Sequence, residues 1–398
     1  MSSTILKITI IIGTILSLCA ISFLVYGSGN ASFTVYAQSY LQTIKYRNLV
    51  IDLGNGVKTS AQLTLPAIGK GPFPGVLLIP GSSALDKNET FGFVYKNSPK
   101  PSPPTPFWQI AQFLTERGFA VLRYDKRGVG ANFTILDKNV WGNATVNDLI
   151  HDAERALNVL TIQPEVDPNR ISIIGHSEGT IIAPRVAIDN STKVRNIILM
   201  GTIAQNLGYK FPYQIVDLPL EYAKQVLDKN HTGFVSVQQI AEDPLSVISK
   251  LAVPLLFFTH THDTKMITNT LEKQFGISGY ISIDKQLKPL LIKGLENYTA
   301  FNLSKCTNIQ GCPIWLRSEL SLKPTLSIIG NISKATGILI LNGENDSETP
   351  VQQAFLLQQR LSELNHPDHT LITYPNLGHF FIQHTNGQTA LGLYSTMC

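Results

Sequence analysis

Three residue types, far apart along the chain, have the chemistry of one reaction. Ser177 stands in Ile173-Ile174-Gly175-His176-Ser177-Glu178-Gly179, an apolar run that leads into Gly-x-Ser-x-Gly and then into the helix-like Thr180-Ile181-Ile182-Ala183. A serine on so tight a turn between strand and helix holds a strained backbone. The flanking glycines relieve steric conflict, and the hydroxyl is pushed out at a sheet edge beside a helix N-terminus. To act as a nucleophile it needs a base within hydrogen-bond reach and a carboxylate that orients the base. Downstream, the apolar Gly337-Ile338-Leu339-Ile340-Leu341 opens into Asn342-Gly343-Glu344-Asn345-Asp346, and Tyr374-Pro375-Asn376-Leu377-Gly378-His379-Phe380 places a histidine in the loop after the next strand. Ser177 is the expected nucleophile, His379 the base and Asp346 its orienting carboxylate. The oxyanion of a tetrahedral intermediate needs two backbone N–H donors. They are expected from Glu178, directly after the serine, and from Pro80-Gly81-Ser82-Ser83, with Ser82 favoured over Ser83.

Other residues compete for these roles. Glu344 and Glu348 flank Asp346 but need a different loop phase. Asp263 follows the apolar run Pro254 to Phe258, yet no strand carrying Gly-His comes after it at a matching distance. His260 and His262 read as solvated or packing residues rather than metal ligands, and His384, without a preceding glycine, reads as surface. A separate pattern, Asp228-Lys229-Asn230-His231-Thr232-Gly233-Phe234-Val235-Ser236-Val237-Gln238-Gln239, is similar to an EF-hand calcium loop. Asp228, Asn230, Thr232 and Ser236 supply oxygens at positions 1, 3, 5 and 9, but position 12 is Gln239 rather than a bidentate glutamate. Weak calcium binding and a metal-free helix–loop–helix both fit; the metal-free reading is preferred, and no cofactor is expected.

The elements that must hold these residues alternate. Tyr46–Asp52 and Val57–Leu65 read as strands around Gly54-Asn55-Gly56, a hairpin signal. The apolar run Gly75–Ile79 follows, then a helix near Phe107–Arg117, a strand Phe119–Tyr124, a helix near Val146–Leu160, a strand Arg170–Gly175, a helix after Ser177 and a strand Val194–Met200. The rhythm resumes with a strand Thr336–Leu341, a helix Pro350–Leu364, a strand His369–Tyr374 and a closing helical tail. Such alternation predicts an α/β fold, a mostly parallel central sheet with helices on both faces. The interval between Thr202 and Thr336 is too long for an ordinary connection and reads as an inserted cap. The expected division is 1–37 as an N-terminal membrane anchor or signal peptide with linker, 38–203 and 336–398 as the two parts of the core, and 204–335 as the cap. Within the cap, Leu220–Leu227 reads as a helix, while Phe257, Phe258, Trp315 and Arg317 read as cap core or surface. No internal repeat or low-complexity tract is evident in the sequence.

The chain has 398 residues, 43% hydrophobic and 15% charged, enough to bury a large core. A net charge of +4 with no long single-sign run excludes a nucleic-acid binder. The uncharged stretch Ile8 to Tyr26 is long enough to span a bilayer and also resembles a long secretory signal. Asn-x-Ser/Thr sequons, from Asn30 to Asn345, are about twice as frequent as composition predicts. Cys306 and Cys312 could close a small disulfide loop in an oxidising compartment, with Cys398 left free. Together these place the bulk of the chain outside the cytoplasm, secreted or anchored; oligomeric state is left open.

Gly175-His176-Ser177-Glu178-Gly179, Tyr124-Asp125-Lys126-Arg127-Gly128-Val129-Gly130, the Pro80-Gly81-Ser82 loop and the contexts of Asp346 and His379 together resemble the α/β-hydrolase superfamily, near its esterases and serine-aminopeptidase-like hydrolases. The resemblance covers about Tyr46 to Ala204 and Thr336 to the end, and leaves the cap unexplained. It implies an α/β-hydrolase fold and cleavage of a carboxylic ester, or of an amide as in an aminopeptidase, through an acyl-enzyme. A non-catalytic surface-binding protein on the same scaffold is the alternative. The chain departs from many relatives at Pro80, where they carry His, and at Thr180, where they carry a second Gly. The Asp125–Gly130 loop is read as structural.

Overall fold

A computed structural model describes residues 44–90, 105–242, 264–277, 279–306 and 312–381. The stretch Ile8 to Tyr26, the sequon at Asn30, Phe257, Phe258, His260, His262, Asp263, His384, the helical tail and Cys398 lie outside them. Among the described residues no helix is long and apolar enough to cross a membrane.

The strands of the main sheet are β1 (Ile44–Gly54), β2 (Val57–Pro66), β3 (Phe73–Ile79), β4 (Ala120–Tyr124), β5 (Val166–His176), β6 (Val194–Met200), β9 (Gly337–Gly343) and β10 (His369–Tyr374); β7 and β8 lie outside it. Their order across the sheet is β1-β2-β4-β3-β5-β6-β9-β10. β1 and β2 form the expected hairpin, β2 meets β4 antiparallel, and every other pairing is parallel.

The central strands are apolar throughout because both faces are covered. Alternate residues serve opposite layers: Leu77, Ile79, Ile197 and Ile340 join one core cluster, while Val76, Leu78, Ile198 and Leu339 join the other. Helix α1 (Pro106–Glu116), with proline in its first turn, buries Phe107, Ile110 and Leu114 in the second cluster. Helices α2 (Val146–Thr161) and α3 (Gly179–Asp189) cover the opposite face. A capping box between Thr145 and Asp148 fixes where α2 begins.

Between β6 and β9 the chain leaves the sheet. A helical run passes from Leu207–Pro212 through Tyr213–Asp217 and Leu218–Tyr222 to Ala223–Leu227, longer than the predicted Leu220–Leu227 helix. The insertion returns to the core through α4 (Pro313–Ser321), whose Ser318 Oγ accepts the Val146 N–H at 2.9 Å. Cys306 and Cys312 are disulfide-bonded just before α4. Arg317, read from sequence as cap core or surface, donates to the Leu303 carbonyl within the insertion, at 3.1 Å.

The expectation of no internal repeat is corrected here. Short strands β7 (Phe234–Ser236) and β8 (Tyr280–Ser282) pair antiparallel with Val235 opposite Ile281. The Val237 N–H donates to the Gly279 carbonyl at 2.9 Å and the Ile283 N–H to the Gly233 carbonyl at 3.0 Å, so the two segments are related by a local two-fold. Thr232-Gly233-Phe234-Val235-Ser236-Val237 and Ser278-Gly279-Tyr280-Ile281-Ser282-Ile283 match residue for residue in type. Gly233 and Gly279 share a left-handed backbone, φ +78° and +77°. Only Gly and Ser are identical across the six positions, so the repeat is faint in sequence and plain only once the strands pair.

Candidate active site

Ser177 lies at the C-terminal end of β5 with φ +51°, a left-handed conformation that non-glycine residues rarely hold. Sterics select both glycines of the turn. A Cβ on Gly175 would stand 2.1 Å from the Gly179 carbonyl oxygen, and one on Gly179 would stand 2.3 Å from that of Ile79. The Ser177 N–H donates to the Met200 carbonyl at 2.9 Å, tying the turn to the end of β6. Thr180, where many relatives carry glycine, donates its hydroxyl to the Ser177 carbonyl and accepts the Ile203 N–H at 2.9 Å. The departure therefore links the turn to the start of the insertion.

Asp346 and His379 follow β9 and β10 and meet in a buried hydrogen bond, Nδ1 to Oδ2, of 2.8 Å. Asp346 also accepts the Glu348 N–H (2.9 Å) and Thr349 N–H (2.7 Å) on Oδ1, and the Thr349 hydroxyl (2.7 Å) on Oδ2. Burial pushes this carboxyl up, but His379 beside it and these bonds outweigh burial and hold it below the usual carboxylate range. The imidazole of His379 packs on Gly201, the residue after Met200, where a Cβ would come within 3.0 Å of its Cε1. A Cβ on Gly343 would stand 2.2 Å from the Leu377 carbonyl oxygen, so glycine is also required beneath the histidine loop. Asp346 and His379 are thus joined after the C-terminal ends of β9 and β10, in the sheet whose strand β5 carries Ser177 at its own C-terminal end. Among the competing acids, Glu344 bonds the Thr373 hydroxyl on the exposed side, whereas Glu348 places Oε2 3.6 Å from His379 Nε2.

The Ser82 loop is held by two charged side chains that the sequence did not single out. Glu89, buried at φ +53°, accepts the Gly81 N–H at 2.8 Å and, on the same oxygen, faces His176 Nδ1 at 2.8 Å. His176 Nε2 donates to the His379 carbonyl at 3.1 Å. Burial lowers the pKa of His176, but the Glu89 carboxylate, its hydrogen bond and the His379 carbonyl more than reverse this and leave it raised. On the other side of Gly81, Lys126 Nζ donates to the carbonyl at 2.9 Å and to Glu178 Oε2 at 2.6 Å. Gly81 C=O and Ser82 N–H are opposite poles of one planar peptide, so an ammonium that fixes the carbonyl also fixes the direction of the Ser82 N–H. The Gly81 N–H is taken by Glu89, so the next backbone N–H in the loop is that of Ser82. Glu178 is also bonded by the indole N–H of Trp315, so Trp315 is more than a packing residue and α4 reaches the turn beside the serine. The Asp125–Gly130 loop, expected to be structural, contributes a side chain to the site. Glu89 carried no sequence signal, and Lys126 was quoted only within the Tyr124–Gly130 motif, whose loop was read as structural. Gly201 and Gly343, each ending an apolar strand, could have been noticed.

A cleft of about 260 Å³, lined by Tyr209, Lys210, Tyr213, Glu348, Gln353 and Leu356 among others, has neither Ser177 nor His379 in its wall and adjoins the histidine through Glu348. Lys210 and Glu348 face each other there at 3.9 Å. Burial, with Asp346 and Asp217 nearby, pushes the Tyr213 phenol up to about 12.

Residues 106–271 match the profile of the serine aminopeptidase S33 family, and residues 313–392 that of the prolyl oligopeptidase family. The chain is 28% identical to esterase EstD of Thermotoga maritima over 297 residues, which are 73% of this chain and 60% of that protein. It is 24% identical to esterase FrsA of Yersinia pestis over 175 residues, 43% of this chain and 36% of that protein. It therefore spans less than two thirds of the length of either relative. Among solved structures, the α/β hydrolase GrgF from a Penicillium species superposes with a TM-score of 0.45 at 17% identity, covering 84% of this chain and 91% of that one.

Proposed function

We propose that this chain, an α/β hydrolase of the esterase and serine-peptidase branch, cleaves carboxylic esters through an acyl-serine intermediate on Ser177. The reading rests above all on the buried Asp346–His379 hydrogen bond at the ends of β9 and β10, in the sheet whose β5 carries Ser177. His379 removes the hydroxyl proton as Ser177 attacks the carbonyl, then returns it to the leaving alcohol, while Asp346 holds the imidazole and balances its charged form. The N–H groups of Ser82 and Glu178 receive the oxyanion. Water repeats the sequence to free the acid. All groups named belong to the chain itself.

The cleft beside His379 takes part of the substrate, with Lys210 and Glu348 on its wall and the insertion as the cap over it. Amide cleavage on the same machinery is the second reading, favoured by the match to the serine aminopeptidase profile. The disulfide, the sequons and the apolar Ile8–Tyr26 stretch support a place outside the cytoplasm, secreted or held at a membrane. A fluorophosphonate probe should label wild-type protein on Ser177, and Ser177→Ala should lower turnover of p-nitrophenyl acetate by about 10⁶ while leaving the fold intact. An unlabelled wild-type protein, or a Ser177→Ala variant that keeps its turnover, ends the proposal. Aminoacyl-nitroanilides assayed beside short-chain acyl esters separate the two substrate classes.

A further inference from the structure

The loop from Asp228 to Gln239 belongs to a pair of helix–loop–helix units, and its oxygens are gathered in a way the hydrolase chemistry does not use. The helical run ending at Leu227 leads into it, and Val237–Glu242 leaves it as a helix. The second unit runs from the helix Thr264–Phe275 through β8 into the helical segments Ile283–Leu287 and Lys288–Asn302. Both following helices open at an equivalent serine: Ser236 Oγ accepts the Gln239 N–H at 3.0 Å and Ser282 Oγ the Lys285 N–H at 3.4 Å. Glycine in the left-handed region at the sixth loop position gives the sharp turn a calcium loop needs, and the antiparallel bridge at the eighth ties the two loops together.

We propose that the Asp228 loop binds one calcium ion per chain, with oxygens from Asp228, Asn230, Thr232, the Phe234 carbonyl, Ser236 and Gln239. Three of these are already clustered. Thr232 Oγ1 lies 2.9 Å from Asp228 Oδ1 and 3.3 Å from the Phe234 carbonyl oxygen. These are hydrogen bonds of the Thr232 hydroxyl, and they hold the oxygens near the roughly 2.9 Å separation of adjacent ligands on a cation at about 2.4 Å. Asp228 is pre-oriented by the Thr232 N–H (2.9 Å) on Oδ1 and the Gly233 N–H (2.7 Å) on Oδ2. On binding, the Thr232 hydroxyl proton turns outward and its lone pairs face the ion. A flexible shell of mixed carboxylate, amide, hydroxyl and carbonyl oxygens suits calcium rather than magnesium, which demands near-octahedral geometry.

The twin loop is the internal comparison. Its sequence puts Gln274 in the place of Asp228, Gly276 in that of Asn230 and Lys285 in that of Gln239. With no carboxylate at a ligand position and an ammonium at the last one it binds nothing, and it serves the pair through β8. The bound ion steadies the end of the helical run whose Gln214 Nε2 donates to the Glu348 carbonyl at 3.0 Å, beside the candidate active site.

With a single carboxylate in the shell, the purified full chain should bind calcium with a Kd on the order of a millimolar and a stoichiometry of one, and its thermal midpoint should rise as the site fills. Gln239→Glu supplies the missing carboxylate and still accepts the Ser236 N–H, so it should fold and tighten binding at least tenfold. Asp228→Ala should abolish binding, and Lys285→Glu should leave the stoichiometry at one. No saturable binding by the wild-type chain up to about 10 mM calcium overturns the proposal, as does binding seen only in Gln239→Glu or left untightened by it.

Discussion

Lys126 offers the sharpest test of how the oxyanion donors are positioned. Removing an oxyanion donor outright costs about 10²–10³ in kcat. Lys126 touches the far pole of the Gly81–Ser82 peptide rather than the oxyanion, so a part of that loss, roughly 10- to 100-fold, is expected when its ammonium is removed. Lys126→Met alone is a poor probe. It strands the Glu178 carboxylate, which is 0% exposed, and an uncompensated buried charge costs about 3–5 kcal/mol of stability. The informative variant is Lys126→Met with Glu178→Gln: neither charge remains, methionine fills much of the lysine's volume, and the glutamine oxygen still accepts the Trp315 indole N–H. Steady-state hydrolysis of p-nitrophenyl acetate should show kcat lowered by that factor and KM changed by less than about threefold, because the interaction grows as the oxyanion forms. An arylboronic acid, which forms a tetrahedral adduct on the serine, should lose affinity in parallel with kcat/KM. The thermal midpoint should stay within about 5 °C of wild type. A folded double variant with unchanged kcat would refute the reasoning, as would one in which KM alone rises.

Asp346→Asn should lower kcat by about 10⁴, as tautomer loss does in other triads, with the fold retained. The Glu348 and Thr349 N–H groups hold the side-chain oxygen on the Oδ1 side, so the new amide points its N–H at His379 Nδ1 and forces the proton onto Nε2, where it cannot accept from Ser177. Activity within about tenfold of wild type would exclude Asp346 as the orienting acid. Glu319 on α4 is buried with Oε2 unpartnered among the described residues, and burial, reinforced by Glu178, pushes its carboxyl up to about 8. Because the folded pKa lies above the unfolded one, the group favours folding below pH 4.5 and that contribution is lost as the pH rises towards 8. The whole effect is on the order of 5 kcal/mol. Glu319→Gln should therefore gain midpoint relative to wild type at pH 8 but not at pH 4.5, and an equal change at both would contradict a neutral Glu319.

The parts of the fold legible in the sequence are those written in short windows. The β1–β2 hairpin follows from Gly54-Asn55-Gly56, and the parallel strands from apolar runs buried on both faces. The turn at Ser177 can be read because Gly175 is imposed by a contact within the turn, the Gly179 carbonyl, although Gly179 itself answers to Ile79 on β3, far away in the chain. His379 and Asp346 can be paired in sequence because each ends a strand of the same alternating pattern. Glu89 and Lys126 could not be anticipated. They grip Gly81 on either side, Glu89 through its N–H and Lys126 through its carbonyl, in contacts that no local period or composition announces. The repeat in the insertion was hidden for a related reason. Its two halves keep hydrophobicity and backbone conformation rather than identity, so their kinship shows only where Val235 faces Ile281.

The sequence by itself determined which residues are able to react and on which strand ends they sit, because strand, turn and helix are local consequences of side-chain size, polarity and backbone freedom. Only the tertiary structure decided what surrounds them: the carboxylate and ammonium that grip Gly81, the glycine under the imidazole, the cleft beside it and the two-fold of the insertion. Those arrangements are fixed by packing and electrostatics between segments that are strangers in the chain.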